Sequence, residues 1–193
     1  MAVDALLTAA ERLFAERGAY VSLRDIAIAG GHRNNSAVHY HFGDRQGLIG
    51  AIVRRRLTSV EATAARLLTT AEDRDTHTLT DILVHALLEA TKQQGATHYF
   101  RFLEVMRSQV KIWPADEGSA WSTITQALAQ QLRNGTEYER ASRISSMATT
   151  LFALLADYER SQEETGVLES LGPTPGQIVE MVVALLQAPM QPQ

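Results

Sequence analysis

The side chains of this chain best suited to specific chemistry stand in one short run: Arg33, Asn34, Asn35, Ser36, Ala37, His39 and Tyr40. They are hydrogen-bonding groups rather than bond-breaking ones. An Asn amide sets a donor beside an acceptor, an Arg offers a fork of donors, and Ser, His and Tyr add single bonds. At the start of a helix, such a set matches the edges of stacked bases. Asn pairs bidentately with adenine and Arg with guanine, while a small residue such as Ala37 admits a thymine methyl. A second set, Ser22, Arg24, Tyr40 and Arg45, places hydroxyls and cations near helix starts, where phosphate is held. Together the two sets can bind double-stranded DNA. On the residues alone, Asn-Asn-Ser also fits a plain turn and N-cap on a polar surface.

The elements that position these groups follow from spacing. Val3, Leu6, Leu7, Ala10, Leu13 and Phe14 recur at i, i+3, i+4, i+7 and predict an amphipathic helix over about 2–17, ended by Gly18. Ser22 with Asp25 three positions on starts a second helix, which Gly30-Gly31 breaks. Asn34 is the expected N-cap of a third helix, about 35–41. Gly43-Asp44 stops and restarts the chain, and a fourth helix runs to about residue 70 through Leu48, Ile49, Ile52, Val53, Leu57, Val60 and Leu67. Short helix, glycine turn, short helix is the sequence form of a helix-turn-helix.

Further along, the polar cluster Glu72–Thr76 is a loop and a candidate joint between halves. Leu79, Ile82, Leu83, Ala86 and Leu87 mark a fifth helix. Tyr99, Phe102, Leu103, Met106, Val110 and Trp113 mark a sixth, stopped by Pro114. Trp121, Ile124, Leu128 and Leu132 mark a seventh, closed by Asn134-Gly135. An eighth covers about 136–163, a Gly- and Pro-rich loop spans Glu163 to Gly176, and an almost wholly apolar ninth covers about 175–187. No strand alternation and no internal repeat is found, so the expected class is all-α with about nine helices.

The totals narrow the choice of function. The chain has 193 residues, 45% of them hydrophobic, and no cysteine. Disulfide frameworks, cysteine metal sites and cysteine nucleophiles are thereby excluded. The amino-terminal residues lack a basic stretch followed by an apolar core, and no apolar run approaches a membrane span, so a cytoplasmic protein is expected. The net charge of −4 is unevenly spread. Residues 1–57 carry eight bases against five acids, a net +3, and the remainder ten bases against seventeen acids, a net −7. A positive head on an acidic body suits a polyanion binder that docks by one end.

Three stretches carry a resemblance: Ala10-x-x-Leu13-Phe14-Ala15-x-x-Gly18, Ser22-Leu23-Arg24-Asp25-Ile26-Ala27, and Tyr40-His41-Phe42-Gly43-Asp44-Arg45-x-Gly47-Leu48. In order and spacing, residues 3–57 resemble the N-terminal domain of the TetR family of bacterial transcriptional regulators. The resemblance implies that the third helix is the recognition helix and that Tyr40 and Arg45 grip phosphate. It implies a DNA-binding domain at 1–57 and a ligand-sensing, dimerising domain at 58–193. The chain departs from the family in having His39 where Tyr is common, and in a turn one residue longer than usual.

By the same resemblance the last two helices would pair across a two-fold axis. Ile144, Leu151, Leu155, Tyr158, Ile178, Val182 and Leu185 are the candidate interface residues, although each fits an intramolecular core as well. A pocket between helices 4 to 8 would be lined by His98, Tyr99, Phe102, Met106, Trp113, Trp121, Met147 and Phe152 and would take a small, largely apolar effector. The expectation is a homodimeric repressor released from a palindromic operator, with no cofactor, no metal and no membrane partner. An architectural DNA binder whose body only dimerises is the alternative. An enzyme ranks lower: the chain has no G-x-S-x-G, phosphate loop or H-E-x-x-H. His39 and His41 point to different helix faces, and Asp81 with His85 gives two ligands at most.

Overall fold

A computed structural model of the chain describes residues 2–93, 98–109, 118–163 and 172–189. Among the described residues there are nine helices and no strand, so the chain is all-α. The helices are α1 (Ala2–Arg17), α2 (Leu23–Ala29), α3 (Ser36–Phe42), α4 (Arg45–Thr70), α5 (Thr76–Gln93), α6 (Tyr99–Met106), α7 (Ala120–Gln131), α8 (Glu137–Glu163) and α9 (Pro175–Gln187). Helix α6 stops at Met106, earlier than the expected Pro114. Val110, Trp113 and Pro114 lie outside the described residues, as does most of the expected loop after Glu163.

The chain forms two compact units, Met1–Thr58 with Thr91–Pro114, and Ser59–Ala90 with Ala115–Gln193. The first changeover falls inside α4, one residue from the expected 57/58 boundary. A single cut does not describe the chain, because α6 returns to the first unit. The cause is the apolar face of α6: Tyr99, Phe100, Phe102, Leu103 and Met106 are all buried, and Phe102 meets Phe14 of α1 with ring centroids 6.0 Å apart. The loop at 72–75 joins α4 to α5 within the second unit and is no joint between units.

In the first unit, Leu6, Ala10, Leu13 and Phe14 of α1 are buried with Ile26, Ala27, Val38, Leu48, Ile49 and Ile52. Each buried Leu, Ile or Phe contributes about 1.5–3 kcal/mol, which offsets the ordering cost of the two very short helices α2 and α3. In the second unit α8 packs on α9 and α7 on α8. Glu61 of α4 accepts from the Ala120 amide at 2.7 Å and so caps α7, where a carboxylate also favours the positive end of the helix dipole. Helix α9 starts with a capping box between Thr174 and Gln177 and with Pro175 in its first turn.

Candidate nucleic-acid interface

Each short helix of the head is fixed by its own local chemistry. Ser22 caps α2: its hydroxyl accepts from the Asp25 amide at 3.1 Å and donates to the Asp25 carboxylate at 2.7 Å. The Ser22 hydroxyl expected to hold phosphate is therefore already engaged by the cap. Helix α2 ends in a Schellman motif, with His32 N–H donating to Ala27 O at 2.8 Å and Gly31 N–H to Ile28 O at 3.0 Å. Gly31 has φ +84°, which the motif requires. Gly30 has a different reason: a Cβ there would lie 2.8 Å from Leu6 Cδ2 and 3.2 Å from the Leu6 Cα, so a side chain would press α2 away from α1.

Helix α3 is anchored by Val38, which is fully buried, with Ala37 and Phe42 half-buried. This leaves Arg33, Asn34, Ser36, His39 and Tyr40 exposed and Asn35 half-buried. The cap differs from expectation. Asn35, not Asn34, occupies the N-cap position, and its side chain makes no capping bond. Asn34 turns the chain instead, its Oδ1 accepting from the Ser36 amide at 3.0 Å. The Asn35 amide reaches one turn along to His39, Nδ2 to Nε2 at 3.3 Å, and His39 Nδ1 lies 2.8 Å from the Gly43 carbonyl.

Helix α4 starts where Asp44 accepts from the Gly47 amide at 2.8 Å. Arg45, expected on phosphate, turns inward. It donates to Ala19 O at 2.8 Å and to Val21 O, and lies over the Phe14 ring at 5.5 Å. Two carbonyls of the α1–α2 loop, which no helix satisfies, thus find their donor in α4. Arg24 remains exposed at the start of α2, and Tyr40 is 85% exposed. Tyr20, just before Ser22, is 96% exposed. Its phenol is an exposed hydrogen-bond donor beside the start of α2 that sequence reading missed, because a loop tyrosine carries no periodic signal.

The residues expected around a pocket separate into two sets. His98, Tyr99, Phe102 and Met106 belong to the first unit, where Tyr99 stacks on Phe102 with centroids 6.3 Å apart and His98 lies 3.6 Å from Glu16. Burial pushes the Tyr99 phenol well above its usual range. Trp121, Met147 and Phe152 belong to the second unit, with Trp121 stacked on Phe152 at 6.2 Å. Trp113 lies outside the described residues. A cleft of about 800 Å³ opens in the second unit among Asp75, His77, Gln131, Arg133, Asn134 and Gln187. Leu132, Leu186 and Pro189 line it as well, so the lining is mixed polar and apolar, and none of the described residues expected around a pocket takes part in it.

Of the expected interface residues, Leu151, Leu155, Ile178 and Val182 are fully buried by the packing of one chain. They have no surface left to give a partner. Ile144, Leu154, Tyr158 and Leu185 are half-buried, while Met181 is 41% and Tyr138 82% exposed, so α8 and α9 do offer apolar surface at other positions. Among the described residues no group of acidic and histidine side chains could hold a metal ion, and no helix is long and apolar enough to cross a membrane.

This arrangement, a buttressed helix-turn-helix followed by a helical body, is the TetR-like fold. Over 100% of this chain and 98% of the other, it is similar to the TetR-like transcriptional regulator LfrR of Mycobacterium smegmatis, solved in complex with proflavine, with 18% sequence identity and a TM-score of 0.52. A TetR-family regulator of Streptomyces coelicolor aligns over 96% of this chain and 94% of its own, at 22% identity and a TM-score of 0.44. No protein-family model matches the sequence, and no curated protein does.

Proposed function

We propose that this chain is a sequence-specific, DNA-binding transcriptional regulator. One observation carries the reading. Helix α3 buries a single side chain fully, Val38, and leaves Ser36, His39 and Tyr40 exposed, with Asn34 exposed just before it, in a net-positive segment. A surface with that much Asn, Ser and His on two turns of helix fits a major groove, where base edges supply matching donors and acceptors. Exposed Arg24, Tyr20 and Tyr40 supply phosphate contacts around it.

The reading extends to a homodimer whose two heads take half-sites about one helical turn apart on a roughly palindromic operator. Residues 1–57 read DNA, and 58–193 dimerise and take a small, largely apolar ligand that releases the repressor. Ligand release requires different affinities for the two arrangements of α4, since a ligand that binds both equally shifts nothing. Support for a ligand comes from LfrR, which binds the flat aromatic proflavine. The second reading is a dimeric DNA binder with no effector; the nearly buried, stacked Trp121 and Phe152 favour it, since aromatics packed on each other serve as core as readily as they line a pocket.

Selection of bound duplexes from a random pool at fixed, near-physiological salt tests the core of the proposal. An inverted repeat is the expected result. Binding without a motif that vanishes as salt rises would leave only a weakly basic head. Titrating aromatic ligands such as proflavine into the selected complex then separates the two readings: release favours the sensor, and binding without release overturns it.

A further inference from the structure

The side-chain amide of Asn35 meets the His39 ring one helical turn on, Nδ2 to Nε2 at 3.3 Å. Carbonyl oxygens only accept, so the 2.8 Å approach of His39 Nδ1 to Gly43 O places the ring proton on Nδ1. In the neutral ring Nε2 is then an acceptor. The group of Asn35 that faces it at 3.3 Å must be the donating NH₂. The other Nδ2 hydrogen and Oδ1 are left to point away from His39. A donor and an acceptor side by side on one amide match the N7 and N6–H₂ of adenine.

The arrangement exists because Asn35 is excused from the usual duty of its position. An N-cap Asn normally spends its oxygen on a backbone amide, but here Asn34 turns the chain and Asn35 makes no cap bond. The ring is fixed in turn at its other end. Gly43 N–H donates to His39 O at 3.0 Å while its carbonyl takes the ring proton, so a single residue in a left-handed turn, with φ +78°, grips both backbone and side chain of His39.

We infer that His39 is a positioning residue that sets Asn35 for adenine, the pair reading one base position as a unit. The inference rests on the DNA-binding reading above. It is distinct from a base contact by His39 itself, which would leave Asn35 free to rotate its amide and take more than one base.

The test uses the full chain and the duplex it selects, with every base substituted in turn at each position, and with binding to unrelated DNA and thermal melting measured alongside. Asn35→Ala should lose an adenine preference of about tenfold at one position of each half-site. His39→Phe, which keeps the ring but has no nitrogen, should lower the same preference at the same position to about twofold. Unrelated-DNA affinity and melting, measured alongside, are the reference for that loss, which should fall on this one base position and exceed any general weakening. His39→Gln can still accept from Asn35 four residues back and should keep most of the preference. The double variant Asn35→Ala/His39→Phe should discriminate no worse than Asn35→Ala alone.

Failures separate cleanly. If the native chain selects no motif, the DNA reading falls and the inference with it. If a motif emerges and Asn35→Ala acts at one position while His39→Phe leaves that position unchanged, the DNA reading stands and the positioning role is wrong. Loss at a different position in His39→Phe would show that His39 reads its own base, and overturns the inference equally.

Discussion

Arg56 of α4 and Glu11 of α1 form a bidentate ion pair sealed from solvent. The guanidinium lies 2.9–3.1 Å from the carboxylate oxygens, the two side chains are 1% and 4% exposed, and the Tyr99 ring of α6 lies 5.8 Å from the guanidinium. Three helices of the first unit meet at this pair. Burial pushes the Glu11 carboxyl above its ordinary value, and the attraction of Arg56 recovers only part of the shift. A buried pair of this kind is expected to fix the register of α1 on α4 more than to stabilise it, which two variants test. Glu11→Leu alone removes the carboxylate that faces a buried cation and should cost about 3–5 kcal/mol in urea unfolding. The double replacement Glu11→Leu/Arg56→Met should recover most of that loss, because both desolvated charges are gone. Additive losses in the double variant would show that the ion pair is a net stabiliser.

Arg45 and Arg24 should behave differently although both are cations of the head. Arg45 spends its donors on the Ala19 and Val21 carbonyls, so Arg45→Ala leaves two loop carbonyls without their donor. It should lower the melting temperature by an amount equal to about 1–3 kcal/mol, with DNA binding falling as a consequence. Arg24 is exposed. Arg24→Ala should leave melting unchanged, weaken binding to all sequences alike and reduce the salt slope by about 1. An unchanged melting temperature in Arg45→Ala, with a reduced salt slope, would return Arg45 to the phosphate backbone.

Local signals account for what the sequence disclosed. Helices α1, α4, α8 and α9 announce themselves because an apolar stripe at 3.6-residue spacing is written along the chain, and Ser22 and Gly31 carry their caps in their residue types. Two contacts of long sequence separation escape such reading. Nothing local distinguishes Arg45, which turns inward to carbonyls 24 and 26 residues away, from exposed Arg24. Nothing local ties Tyr99 and Phe102 to α1 rather than to a pocket in the body, since a buried aromatic face fits either. Likewise Leu151, Leu155, Ile178 and Val182 have the pattern of a core and of an interface alike, and only packing separates the two. At the head, Asn34 and Asn35 share a residue type, so which one turns the chain and which reaches His39 is settled in three dimensions.

Gly47 and Gly50, three residues apart on α4, should give opposite answers to alanine. A Cβ at Gly47 would lie 1.9 Å from the Phe42 carbonyl oxygen, so the α3–α4 turn must open to admit it. Gly47→Ala should cost about 1–3 kcal/mol or more and displace α3. A Cβ at Gly50 would meet only the far end of the Arg54 side chain at 3.1 Å, which can swing aside. Gly50→Ala should then stabilise by about 0.4–1 kcal/mol, since it removes freedom from the unfolded chain at an unstrained helical position. Both variants are read by urea midpoint and by binding to the selected duplex. Equal effects from the two would mean that the close approach at Gly47 is absent.

The acid limb of stability should depend on two caps in the second unit. The Glu139 carboxylate accepts from the Thr136 amide at 2.6 Å and from its hydroxyl at 2.9 Å, which holds its pKa below the ordinary 4.5. The Asp75 carboxylate accepts from the Thr78 amide at 2.7 Å, which holds its pKa below 3.8. In both cases the folded state binds its proton less readily than the unfolded chain. Their contribution is therefore complete above the unfolded values and is lost as pH falls through the lowered folded ones. Urea midpoints of the native chain, Glu139→Gln and Asp75→Asn, taken from about pH 7 down to about pH 2.5, read this directly. The gap between native chain and each variant should be constant near neutrality, shrink once pH drops below 4.5 for Glu139 and 3.8 for Asp75, and close at the acid end. A gap that persists unchanged to the acid end would mean that the charge on these carboxylates contributes nothing and that the caps act through packing alone.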